Sequence, residues 1–397
     1  MAQRNHTLRG VPVGETSPVD VVVQDGTVLS IGPAGTGPVD IGSPDTHIGA
    51  PLFDIQVNGA FGINLQGRDA RAEDIRALCD QLAAVGISHW IPTLITGSFE
   101  DTLHGCQIVT EARRDPTVRR AVPGVHLEGP YISPKDGPRG AHPRAHVRRP
   151  DIAEFDRWLE AAEGQIAYTT VAPEVPGAFD FIRQVTARGV VVSLGHHAAS
   201  ADDVADAVEA GACLCTHLGN GLASSIHRHE NPLWPQLAED RLTASLIADL
   251  EHLPAPMLKT LVRAKGAERV ILTSDCVHIA GLPPGRYSLT GSDVELTDTG
   301  RIRVIGTDML GGSALMLLQG VINATRVADL TLAQAYASAT TIPETLFALN
   351  NRCAPLRPGA PADLLAFTID QTTPRWTAQI QAVYIEGKRL QQDIASG

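Results

Sequence analysis

With 397 residues, the chain is long enough for one large barrel or two ordinary domains around a sizeable core. A formal net charge of −12 argues against a general nucleic-acid binder and against adhesion to anionic membrane surfaces. Hydrophobic residues at 43% and charged residues at 19% are ordinary for a globular protein, and no apolar run approaches the roughly 18–20 residues of a membrane span.

The opening MAQRNHTLRG has no apolar secretion core. Residues 19–32, VDVVVQDGTVLSIG, read as two strands around Asp25-Gly26, a hairpin signal. The middle then alternates short apolar runs with helical patterns such as AEDIRALCDQLAAVG (72–86). Eight runs end on polar or turn residues: Asn58, Thr96, Gly129, Glu174, His197, His217, His252 and Asp275. Ser200 with Asp203, and Thr331 with Gln334, read as capping boxes. The other end is β-rich again, in ADLLAFTID (362–370) and IQAVYIEGKRL (380–390). Eight strand–helix units predict an α/β chain whose residues 51–354 form a (β/α)8 TIM barrel. Residues 1–50 and 355–397 are expected to pair into one small β-sandwich module. An open doubly wound sheet would need a glycine-rich phosphate loop after an early strand, and none is present. The cysteines Cys79, Cys106, Cys213, Cys215, Cys276 and Cys353 have neither disulfide-framework nor zinc-knuckle spacing, which predicts core thiols in a reducing cytoplasm.

In such a barrel the active site lies where the strands end. Glu128, His196 and His217 end three different strands, and two imidazoles with one carboxylate suit a borderline divalent metal with an open position for water. Zn2+ is the first choice, with Fe2+ or another divalent ion fitting the same donors. Side chains alternate along a strand, so His196 and His197 cannot both face inward, and His196 is the favoured ligand. Asp275, ending ILTSD, suits a general base beside an activated water. His252 suits a carbonyl or hydroxyl contact.

The motifs FDIQVNG, PTLIT, HLEGPYISP, RGAH, TVAPE, LGHHAA, THLGNG, LTSD, AGLPPG and GGSAL run in order over nearly the whole chain. With them the chain resembles the N-acetylglucosamine-6-phosphate deacetylases of the amidohydrolase superfamily. The resemblance implies hydrolysis of an N-acetylated amino sugar to acetate and the free amine. It implies one metal on Glu128, His196 and His217, with Gln56 reaching it at most through water. Gln56 and Asn58 stand where most amidohydrolases carry two histidines, which also counts against a nucleobase deaminase. Asp275 matches the base and acid, His252 the residue contacting carbonyl or sugar, and Asn220, Gly221 and His142 the loops around the sugar phosphate. A homodimer is the family's expected assembly.

Two stretches depart from the family pattern. The loop 219–235, GNGLASSIHRHENPLWP, is longer than usual, and Arg228 is its nearest match to a phosphate-gripping arginine. Glu251 adds a negative charge beside His252, facing either solvent or the pocket. The alternative reading is therefore a related amidohydrolase acting on an unphosphorylated or modified N-acyl sugar. A sugar sensor without catalysis is disfavoured by Glu128, His196, His217 and Asp275 occurring together.

Overall fold

A computed structural model of the chain describes residues 5–289, 292–306, 310–349 and 356–390. Cys353 and, of the predicted module, residues 1–4, 355 and 391–397 lie outside the described residues. Eight parallel strands run in chain order around one sheet. They are β1 (Leu52–Val57), β2 (Ile87–Ile95), β3 (Val125–Glu128), β4 (Ile166–Val171), β5 (Val191–Leu194), β6 (Leu214–Cys215), β7 (Thr243–Ile247) and β8 (Val270–Thr273). Helices fill the crossovers, among them Ala72–Ala84, Phe99–Ala112, Ile152–Ala161, Ala178–Ala187, Ala201–Glu209 and Ala255–Lys265. This is the (β/α)8 barrel that the alternation predicts.

The strands are buried on both faces, so β1 and β3 are covered at every residue. Each helix turns an apolar stripe inward, as Ile75, Leu78, Cys79 and Leu82 do in Ala72–Ala84. The Ser200–Asp203 and Thr331–Gln334 capping boxes both form. The two β-rich ends combine in a seven-stranded sheet, where Leu364–Asp370 pairs antiparallel with Ile41–Gly49. The sheet folds back over a core of Leu8, Val21, Ile48, Leu364 and Tyr384. Its hairpin turn rests on the C-terminal segment, with Ala362 N–H donated to Gly26 O at 2.9 Å.

Two features differ from the reading of the sequence. β7 stops at Ile247, so His252 stands in a loop rather than at a strand end. Its path is set by Asp249, whose Oδ1 accepts the N–H groups of Glu251 and His252 and so replaces the ladder. After β8, a four-stranded antiparallel sheet spans Gly285–Leu289, Ser292–Leu296, Arg301–Val304 and Leu310–Ser313. It packs around Ile279, Val294, Leu296 and Ile302, and it precedes helix Leu317–Val327.

Lys265 is 1% exposed, an unusual place for a lysine. Its ammonium donates to the carbonyls of Gln236 (3.0 Å) and Glu239 (2.8 Å), capping the helix Leu233–Ala238 that begins within the stretch 219–235. Lys265→Met strands both acceptors and is expected to cost about 1–3 kcal/mol, read from the urea unfolding midpoint.

Candidate active site

The polar residues at the barrel mouth come from strands that end abruptly. Glu128 is the last residue of β3, and Gly129 follows at φ 86°. A Cβ on Gly129 would stand 2.2 Å from Thr96 Oγ1, so only glycine lets the chain leave there. His196, His217 and Asp275 each lie two residues beyond a strand and adopt φ of 52°, 30° and 49°. Left-handed backbone is uncommon outside glycine, and in all three cases it accompanies a sharp exit from the strand. Gly195 also has to be small, since a Cβ there would lie 2.7 Å from Thr216 Cβ.

Glu128, His196 and His217 converge. Glu128 Oε1 lies 3.2 Å from His196 Nε2 and 2.9 Å from His217 Nε2, and the two nitrogens are 3.2 Å apart. Among the described residues this is the one group of three acidic, thiol or imidazole side chains arranged to hold a metal ion. A tetrahedral ion with bonds of about 2.0–2.1 Å has ligand–ligand edges near 3.3 Å, which matches this triangle. The protonation pattern fits as well. His196 Nδ1 is 2.9 Å from the carbonyl of Pro138, which can only accept, so the ring proton sits on Nδ1. Nε2 is then a bare lone pair facing a carboxylate and two imidazoles, an arrangement that a cation satisfies. Burial opposes the charge on Glu128, but the His196 and His217 contacts hold its pKa well below the usual glutamate value.

The other expected residues sit at varied distances from this centre. Gln56 Nε2 donates directly to Glu128 Oε1 at 3.0 Å, so Gln56 touches a prospective ligand, and its own Oε1 is buried without a partner. His142 was expected beside the sugar; it is buried with Nε2 3.2 Å from His196 Nε2 and Nδ1 2.9 Å from Thr96 Oγ1. His197 is buried outside the triangle, next to Glu174 and Gln236. Asn220 donates to His217 O at 3.3 Å, and Gly221 packs against the His196 ring. Arg228 stands exposed on loop 219–235, where its carbonyl accepts the indole N–H of Trp234. That loop and the start of helix Ala201–Glu209 enclose a cavity of about 720 Å³ lined by Pro138, His197, His227, Glu230 and Trp234. Glu251 is paired with Arg301 of the inserted sheet at 3.4 Å.

Asp275 faces the triangle across the mouth. Its Oδ1 accepts from Asn58 Nδ2 at 2.7 Å, leaving Oδ2 to meet a proton. Burial, followed by the nearby charge of Glu128, pushes its pKa up to about 7. His252 Nδ1 lies 2.6 Å from Asp249 Oδ2, which locks the ring. Burial opposes the Asp249 charge, but the His252 contact outweighs it and keeps that carboxylate ionised. Asp249 stands in the stretch SLIAD that precedes His252, but sequence reasoning assigned it no role of its own, although an acid three residues before a candidate histidine is a usable signal. Sequence reasoning also passed over the floor of the site. His126 Nε2 is 2.8 Å from Thr170 Oγ1, which meets Thr216 Oγ1 at 2.8 Å, which meets Ser193 Oγ at 2.6 Å.

The sequence profile of the amidohydrolase family matches residues 50–390. N-acetylgalactosamine-6-phosphate deacetylase of Escherichia coli O157:H7 is 29% identical over 370 residues, covering 92% of this chain and 93% of that protein. The human N-acetylglucosamine-6-phosphate deacetylase is 31% identical over 358 residues, covering 87% and 84%. Among solved structures, N-acetyl-D-glucosamine-6-phosphate deacetylase of Mycobacterium smegmatis, an aspartate-to-alanine mutant in complex with N-acetyl-D-glucosamine-6-phosphate, superposes with a TM-score of 0.84 at 26% identity, covering 97% of this chain and 99% of that one. With a profile match across most of its length and curated relatives at this identity, the chain belongs to the amidohydrolase family, in the branch of the N-acetylglucosamine-6-phosphate deacetylases.

Proposed function

We propose that this protein hydrolyses the acetamide of an N-acetylated amino-sugar 6-phosphate, N-acetylglucosamine 6-phosphate first, to the amino-sugar phosphate and acetate. The observation that carries the reading is that Glu128, His196 and His217 oppose Asp275 across one barrel mouth. Glu128, His196 and His217 would hold a divalent cation, Zn2+ in our proposal, and that cation would supply the positive charge that activates water and polarises a carbonyl. Asp275, with Oδ1 held by Asn58, takes the water's proton on its free oxygen and returns it to the departing amine. His252 presents Nε2 to the carbonyl or a sugar hydroxyl, because Asp249 engages Nδ1. Gln56 orients the Glu128 carboxylate. Asn220, Gly221 and His142 line the sugar side, and Arg228 is the phosphate contact. A cytoplasmic homodimer belongs to the same proposal, as does the division into a barrel of residues 51–354 and a module of residues 1–50 and 355–397.

A second reading is favoured by loop 219–235. Arg228 is exposed and flanked by His227, His229 and Glu230, so an unphosphorylated or modified N-acyl sugar is the alternative substrate.

Steady-state deacetylation separates the two. The 6-phosphate is expected to exceed N-acetylglucosamine in kcat/KM by at least ~100-fold, with Arg228→Ala raising KM ~10-fold or more for the phosphorylated sugar alone. Equal rates on both sugars select the second reading. Asp275→Asn should lower kcat by about 10²–10⁴-fold while bound metal, measured by elemental analysis, stays at the wild-type level. Full activity in that variant removes Asp275 as the base. Glu128→Gln should weaken divalent-metal affinity by at least ~100-fold in a chelator competition; wild-type affinity would place the ion on other residues.

A further inference from the structure

The first and last barrel strands meet with almost no backbone ladder. Their pairing is a lone parallel bridge between Val57 and Cys276, with Asn58 N–H donated to Cys276 O at 2.8 Å. Below that bridge a side chain takes over. Asp54, on β1, is 0% exposed, and its Oδ1 accepts from Thr273 Oγ1 at 2.8 Å and from Ser274 N–H at 3.1 Å, both at the end of β8. The same oxygen lies 3.3 Å from Gln56 N–H. Its Oδ2 is buried without a partner. Burying a carboxylate with one oxygen unsatisfied is costly, and an apolar residue would fill a core strand without that cost.

What the carboxylate touches explains its presence. Ser274 precedes Asp275, whose left-handed backbone requires its neighbour to be held. Gln56 carries the side chain that donates to Glu128. One buried oxygen therefore ties the strand bearing the Glu128 contact to the strand bearing the proton shuttle. We propose that Asp54 is a positioning residue that sets Asp275 against the Glu128–His196–His217 triangle by closing the barrel seam with its side chain. The inference rests on the deacetylase reading for the role of Asp275, but the seam itself can be measured without turnover.

The test uses the full-length, metal-loaded enzyme and the variants Asp54→Ala and Asp54→Asn. Asparagine keeps the acceptor that Thr273 and Ser274 use, whereas alanine removes it. For Asp54→Ala, amide exchange at Asn58 and Ser274 is expected to rise at least ~10-fold. Its kcat on N-acetylglucosamine 6-phosphate should fall ~100-fold, the scale of a misplacement of about 1 Å, with KM within ~3-fold and metal content unchanged. Asp54→Asn should restore kcat to within ~3-fold of wild type. A folded Asp54→Ala with wild-type kcat and wild-type exchange overturns the proposal. So does loss of metal in step with activity, or an asparagine variant as impaired as alanine. If Asp54→Ala does not fold, Thr273→Val removes one donor and should lower kcat ~10-fold at constant KM; an unchanged kcat there overturns it equally. Should the wild type fail to deacetylate any amino sugar, the functional reading fails, and exchange at Asn58 and Ser274 still decides the seam.

Discussion

The site depends on a backbone constraint: a parallel strand must stop and turn so that its following residues aim at the barrel axis. His196, His217 and Asp275 meet it with left-handed backbone, at a cost on the order of 1–3 kcal/mol each. Neighbouring strands stabilise the turns. Ser245 Oγ accepts His217 N–H at 2.7 Å and donates to Cys215 O at 3.1 Å, bracketing that exit from β6. His196 O accepts Ser133 N–H at 2.9 Å, which ties it to the loop leaving β3. His217 is thus held from a neighbouring strand, and His196 from the loop leaving β3. Such cross-bracing is what a preorganised site needs and what a single flexible loop cannot provide.

Beneath the triangle the barrel interior is polar and buried. His126 sits two residues before Glu128 and stacks on Tyr168 with ring centroids 3.6 Å apart. Burial pushes its pKa down to about 3, so the ring is neutral, with one nitrogen donating a hydrogen bond and the other accepting one. Thr93, Thr170, Thr216 and Ser193 satisfy it and one another. A satisfied buried network is rigid, because breaking any link leaves a polar group unpaired in low dielectric. The floor therefore resists the sideways motion that would open the triangle above it.

The strand ends were legible because a polar residue closing an apolar run has few other reasons to be there. That logic brought Glu128, His196, His217 and Asp275 to one mouth; alternation favoured His196 over His197, but both lie beyond β5, where the left-handed backbone at His196 sets the ring's direction. It failed for His252, since periodicity carried the run past Ile247 and missed the turn made by Asp249. It failed for Asp54 and His126, which lie inside apolar runs where a single polar residue has no periodic signature. The inserted sheet was missed for another reason. Its four strands are five residues or shorter, and they contact one another more than the barrel, so no strand–helix alternation marks them. Loop 219–235 was recognised as divergent, but its path depends on contacts such as Lys265 with Gln236 that no local pattern announces.

A chain of net charge −12 can still take an anionic sugar, because at physiological salt charges beyond about 8 Å are largely screened. What matters is the mouth, and there four acids already have partners. Glu128 faces two imidazoles, Asp249 holds His252, Glu251 meets Arg301, and Asp275 accepts from Asn58. The same pairing spends Arg301 on Glu251, so that guanidinium brings little net attraction to a phosphate. In the function proposed above, selection between a phosphorylated and a neutral sugar falls to loop 219–235. There Arg228 can present two parallel N–H donors to a phosphate, whereas Glu230 and the cavity beside Trp234 suit a neutral, less hydrated group.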